Sequence, residues 1–123
     1  MIDIGDLKWA AGFLEGEGSF YLATNSPLIE ASQNQKWPLE KLNSIFGGRL
    51  HFQLRKGNRN GTWVWVLGMK RKDAVALMMT LYILMSPRRQ EQIKRCLNVW
   101  KKTKRNSLIN NQLKFNLMKD NRR

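Results

Sequence analysis

Residues 9–20 read WAAGFLEGEGSF. Asp6 is a candidate N-cap ahead of Leu7, Trp9, Ala10, Ala11, Phe13 and Leu14, and no breaker beyond Gly12 intervenes before Gly16. The stretch therefore predicts a short apolar helix ending near Gly16. Gly12 and Gly16 lie four apart and share one face, while Trp9 and Phe13 occupy a neighbouring stripe. A glycine inside a helix costs roughly 1 kcal/mol relative to alanine, and close backbone approach by another element is the usual compensation. Glu15 and Glu17 fall where this helix meets the next element. A carboxylate at a helix C-terminus opposes the helix dipole, and a cation relieves it, a divalent metal more than a lysine. A solvated surface acid needs no such relief, and charge alone does not separate the two readings.

Downstream, Ser19–Asn25 (SFYLATN) and Leu28–Asn34 (LIEASQN) are alternating runs broken by Ser26-Pro27, which predicts a hairpin. Leu39, Leu42, Ile45 and Phe46 recur at helical spacing, with Pro38 in the first turn and Gly47-Gly48 closing the helix. Arg49–Arg55 (RLHFQLR) and Thr62–Leu67 (TWVWVL), joined by KGNRNG, form a second hairpin. Ala74, Leu77, Met78, Leu81, Leu84 and Met85 mark an amphipathic helix stopped by Ser86-Pro87, and Ile93, Cys96, Leu97 and Trp100 mark another. The order is αββαββα plus one helix: an α+β class with a four-stranded antiparallel sheet, helices on one face and the other face bare. Residues 1–105 make the domain, and 106–123, polar, asparagine-rich and basic, are expected as a tail or weak helix.

The charge is unbalanced. The 123 residues carry 22 Lys/Arg and 9 Asp/Glu, a formal net charge of +13. Residues 1–69 contribute +1 (seven basic, six acidic) and residues 70–123 contribute +12 (fifteen basic, three acidic). Such an excess points to a polyanion, nucleic acid above all. Cys96 is the only cysteine, which excludes an internal disulfide framework and fits a reducing compartment. The start, MIDIGD, lacks the blocks of a signal peptide, and the longest apolar run is too short to span a bilayer. The expectation is an intracellular protein that does not engage membranes, since its basic helix has no free apolar face.

On the third strand Leu50, Phe52 and Leu54 point one way, and Arg49, His51, Gln53 and Arg55 the other. The second row suits base edges, arginine and glutamine being good readers of guanine and adenine, although any solvated sheet face can look alike. On the fourth strand, Val64 and Val66 beneath the helices would complete a thin core and turn Trp63 and Trp65 toward a partner; the opposite parity stays open. Tyr21, Ala23, Asn25, Glu30 and Ser32 would join the partner face.

The segment Ala10–Gly18, AAGFLEGEG, resembles the nonapeptide motif of the LAGLIDADG homing endonucleases. Trp9, Ser19-Phe20, the element order, LEKLNSIFGG and SPRRQEQI are similar as well, so the resemblance extends over about residues 6–100. Glutamates stand in place of both aspartates, and alanine replaces the leading leucine. The resemblance implies a saddle-shaped sheet that binds double-stranded DNA in the major groove. It implies a central pair of motif helices packed through Ala11, Gly12, Glu15 and Gly16. A single motif implies half an enzyme, completed as a homodimer. Glu17, at the eighth motif position, would bind divalent metal (Mg²⁺) and Glu15 would be structural; Gln33 would orient water, and Arg88 or Arg89 would stabilise developing charge. The DNA-binding set is then Tyr21, Asn25, Glu30, Ser32, Arg49, His51, Gln53, Arg55, Arg59, Trp63, Trp65 and Lys70, with Lys56, Asn58 and Asn60 at the outer loop.

The expected function is a metal-dependent, site-specific DNA endonuclease. The alternatives on the same fold are an RNA-binding intron maturase and a DNA-binding regulator without catalysis.

Overall fold

The structure is a computed structural model that describes residues 2–54, 61–68 and 71–120. The elements run α1 (Ile4–Glu17), β1 (Gly18–Ala23), β2 (Ser26–Gln33), α2 (Trp37–Phe46), β3 (Arg49–Gln53), β4 (Thr62–Leu67), α3 (Arg71–Leu81) and α4 (Pro87–Asp120). A 3₁₀ turn, Tyr82–Leu84, joins the last two. The expected αββαββα order with a further helix is present. The four strands form one antiparallel sheet in the order β1-β2-β4-β3.

Helix α1 begins earlier than expected. Asp3, not Asp6, is its N-cap, accepting the Gly5 N–H. Ala10, Ala11 and Leu14 face inward, whereas Gly12 and Gly16 are exposed, and a Cβ at either would meet nothing within 4 Å. The first hairpin turns at Thr24-Asn25, both at positive φ (51° and 66°), two residues before the Ser26-Pro27 break read from the sequence. Two left-handed residues match the twist of paired strands, and asparagine tolerates that conformation. Pro27 lies buried inside β2, opposite Leu22.

Helix α2 ends at Gly47 (φ 75°) and Gly48 (φ 107°). A side chain at Gly48 would also collide with the Val66 carbonyl, at 2.6 Å, so the bend into β3 requires glycine there.

The register corrects one expectation about the core. Leu50 pairs with Trp65, Phe52 with Trp63, and Ala31 with Trp65, so the tryptophans share the apolar helix-facing side. Trp65 is completely buried, its ring 6.4 Å from Phe46 and its Nε1 donating to the Gly47 carbonyl at 2.9 Å. Trp63 is half-buried against the same core, edge-on to Phe52. The physical reason is volume: β4 is a central strand beneath the helices, and valines alone would leave voids there. Val64 and Val66 occupy the open side instead, Val64 buried between His51 and Ser32 of the flanking strands.

One further departure lies in the C-terminal half. The amphipathic pattern to Met85 is broken by the 3₁₀ turn, and Leu84 is exposed. Helix α4 runs unbroken for 34 residues, roughly 50 Å. The stretch from 106, expected as a tail or weak helix, continues α4 through Asp120, and every residue from Lys104 to Met118 is exposed. Among the described residues, no helix is long and apolar enough to cross a membrane.

Candidate functional site

Two carboxylates close α1, and their surroundings differ. Glu15 is half-buried and accepts the Ser86 N–H at 2.6 Å and the Ser86 hydroxyl at 2.8 Å. Arg89 Nε lies 3.7 Å from the same carboxylate and donates to the Glu15 carbonyl at 3.1 Å. The Ser86 N–H, with its hydroxyl and then Arg89 and Arg88, holds the Glu15 carboxyl below its ordinary value against the opposing effect of desolvation. Arg89 is itself buried, and its Nη1 donates to Gln92 Oε1 at 3.0 Å. This cluster binds the last turn of α1 to the first turn of α4.

Glu17 is the opposite case. It is exposed and makes no side-chain hydrogen bond or ion pair among the described residues. Because Gly18 pairs with Ala31, Glu17 stands at the end of the row that crosses the open face through Ser32, Val64 and His51.

The open face is polar and mostly accessible. Tyr21, Ser32, Arg49 and Gln53 are exposed on it, and Glu30 and His51 are half-buried. The Tyr21 hydroxyl donates to Glu30 Oε2 at 2.6 Å, and this bond pushes the phenol up to about 12. His51 Nδ1 is buried without a hydrogen-bond partner. Asn25 sits exposed in the first turn. The face can therefore present hydrogen-bonding groups to a polar ligand along β1, β2 and β3, with the valines of β4 between them.

No protein-family model matches the chain, and no curated protein matches it in sequence. Solved structures do match. The group I intron-encoded homing endonuclease I-CeuI, complexed with DNA, superimposes with a TM-score of 0.64 at 19% identity, covering 85% of this chain and 58% of that one. The LAGLIDADG homing endonuclease I-GzeII, in complex with a DNA target, gives 0.65 at 24% identity over 87% of this chain and 39% of that one. The homing endonuclease I-CvuI, in complex with DNA in the presence of Mg and not cleaving it, gives 0.62 at 17% identity over 81% of this chain and 70% of that one. The chain has the LAGLIDADG homing-endonuclease fold. It spans little more than half of I-CeuI and about two fifths of I-GzeII.

Within that fold the expected site residues divide. Gln33 is half-buried at the end of β2, paired with Trp63 and so on the helix-facing side of the sheet, at the same end as Glu17 but not on the open-face row. Arg88 is exposed in the first turn of α4, whereas Arg89 is committed to Glu15 and Gln92. Of the four residues expected at a helix–helix interface, Gly12 and Gly16 lie on the outward stripe. Ala11 belongs to the protomer's own core, and Glu15 is tied to Ser86 and Arg89. Trp65, expected to face a partner, cannot do so from the core. Arg55, Arg59 and Lys70, with Lys56, Asn58 and Asn60, lie outside the described residues.

The sequence does not mark Ser86 as a site residue: Ser-Pro reads as the stop of the preceding helix and SPRRQEQI as the opening of the basic one, and nothing local signals the contact with Glu15. The same pair is a start signal, serine before a proline at the first helical position, and the Ser86 hydroxyl accepts the Arg89 N–H at 3.4 Å.

Proposed function

We propose that this chain is one half of a homodimeric, divalent-metal-dependent endonuclease that cuts double-stranded DNA at specific sites. The observation that carries the reading is Glu17: an exposed acid without a protein partner among the described residues, at the rim of a polar sheet face, in a chain of net charge +13. A carboxylate facing a polyanion is repelled by it unless a cation lies between them. The neighbouring stripe supplies the second argument. Glycines at two exposed positions weaken α1, and open space above them suits a second α1 packed at close range.

The donor chemistry fits a hard cation. Glu17 offers free carboxylate oxygens, while those of Glu15 are engaged by Ser86 and Arg89. Among the described residues no cluster of three acidic, histidine or cysteine side chains could hold an ion within one protomer. Glu17 would hold the ion, leaving the other positions to the DNA and solvent. When bound, a divalent ion polarises the scissile phosphate and makes bound water a better nucleophile.

The chain's own residues do the rest. A dyad places one Glu17 near each strand, as cleavage of both antiparallel strands requires. Gln33, an amide that both donates and accepts, orients water, and the exposed Arg88 offsets charge developing on the phosphate. Glu15, Ser86 and Arg89 hold the end of α1 so that Glu17 is presented at a fixed height.

The test is single-turnover cleavage of a randomised duplex library with and without Mg²⁺, beside equilibrium binding. Selective binding with Mg²⁺-dependent double-strand cleavage supports the reading. Binding without cleavage would replace it with a regulator, and preference for RNA with a maturase.

A further inference from the structure

Glu30 is out of place on a surface meant for DNA. It lies on the open face in β2, on a central strand, and no ion pair joins it to a cation among the described residues. Its one side-chain partner is Tyr21, whose hydroxyl spends its only proton on Glu30 Oε2 at 2.6 Å. That bond fixes the carboxylate's orientation across the β1–β2 pair, where Tyr21 and Glu30 stand diagonally on the same side. The result is a positioned group that can only accept: Oε1 has no partner among the described residues, and the tyrosine oxygen has no further proton to give.

A duplex offers little that such a group can take. Phosphates repel it, and guanine presents only N7 and O6 acceptors in the major groove. Donors there are the exocyclic amines of cytosine and adenine. The adenine amine is flanked on both sides by acceptors, its own N7 and the O4 of the paired thymine, and a carboxylate would meet both unfavourably; the cytosine N4 amine has an acceptor, the O6 of the paired guanine, on one side only. We infer that Glu30, oriented by Tyr21, reads a cytosine N4 amine in each half of the DNA target.

This rests on the DNA reading of the open face and deepens it. Glu30 is then a specificity residue that takes no part in the chemistry, and Tyr21 is its positioning residue. The carboxylate accounts for selectivity by exclusion as well, since thymine O4 and guanine O6 at that position would face a negative charge.

The experiment is the base-preference profile of the full-length protein, from sequencing the bound and cleaved fractions of a partly randomised duplex library, for the natural chain, Glu30→Gln and Tyr21→Phe. The natural chain should favour cytosine at one position per half-site by roughly tenfold or more over other bases. Glu30→Gln, now donor and acceptor, should move that single position toward adenine and leave the other positions alone. Tyr21→Phe should keep cytosine but weaken the preference several-fold. Absence of a cytosine position that responds to Glu30→Gln, or an equal shift at all positions, would make the Tyr21–Glu30 pair a structural cross-strand contact and overturn the inference. If that happens while a sequence is still selected, the nuclease reading survives it. If no sequence is selected from the library at all, both fall together.

Discussion

Two glutamates two residues apart at the end of α1 have opposite environments. Glu15 is turned toward α4, where a backbone N–H, a hydroxyl and a buried guanidinium surround it. Glu17 is turned outward and has no such partner among the described residues. The helix dipole disfavours both equally, so their difference lies in what relieves it. For Glu15 the relief is built into the protomer. For Glu17 it is solvent or, under the proposed function, a cation. The comparison separates an acid that holds two helices together from one whose oxygens no described residue of the protomer engages.

The largest expected effect tests the outward member. Glu17→Gln should reduce single-turnover cleavage by several orders of magnitude, because the charge that holds a divalent ion is gone. Binding without metal, or in Ca²⁺, should persist, and stability should stay within about 0.5 kcal/mol, as for an exposed side chain without partners. Undiminished cleavage would end its catalytic assignment. Next comes the stripe beside it. Gly12→Leu meets open space in the protomer, and its helix should gain about 0.5–1 kcal/mol from losing the glycine. Light scattering should nonetheless report monomers, and cleavage should be lost. A fully active dimer of this variant would remove the model of paired α1 helices.

The inward member should respond in folding. Glu15→Gln weakens its bonds to Ser86 and leaves Arg89 buried beside a neutral amide, a loss of roughly 1–3 kcal/mol in urea unfolding at neutral pH. The pH dependence follows from the direction of the shift. The folded Glu15 carboxyl is held below its ordinary value of 4.5. Its contribution is therefore complete above that value and disappears as pH falls through the lower, folded one. The natural chain should lose stability in that acid range more steeply than the variant, and equal slopes would mean the clamp contributes nothing. Cleavage by Glu15→Gln, measured where it remains folded, should fall far less than for Glu17→Gln.

Much of this was legible in the sequence, for identifiable reasons. Alternation in RLHFQ set the facing of β3 correctly, because charged and apolar residues cannot exchange sides of a half-buried sheet. TWVWVL was harder: both of its rows are apolar, so alternation is visible but direction is not. Only the pairing with Leu50 and Ala31, a long-range fact, turns the tryptophans inward. The acids of the motif were legible as a pair but not as opposites. Glu15 finds Ser86 and Arg89 more than seventy positions away, and nothing local separates it from Glu17. Pro27 reads locally as a break and puts the hairpin turn two residues too late, although a strand tolerates proline where no ladder bond is needed.

The same division into tied and available recurs among the arginines, and it yields the smallest expected effect. Arg89 is buried, bonded to Glu15 and Gln92, and has little left to offer DNA. Arg49 is exposed on the open face at the start of β3. An arginine there can hold guanine O6 and N7 with two bonds, or it can grip a phosphate, and the two roles leave different traces. If Arg49 reads a base, Arg49→Ala should relax preference at one base pair by roughly 1–3 kcal/mol and leave the salt dependence of binding unchanged. If it grips a phosphate, all sequences should weaken alike, and the slope of log K against log salt should fall by about 0.9. Arg49 shares the row of Val66 and Glu30 on the open face, so the proposed DNA reading of that face leads to the first outcome. A uniform loss with a reduced slope would assign Arg49 to the backbone, and the base-reading surface would then lie closer to His51 and Gln53.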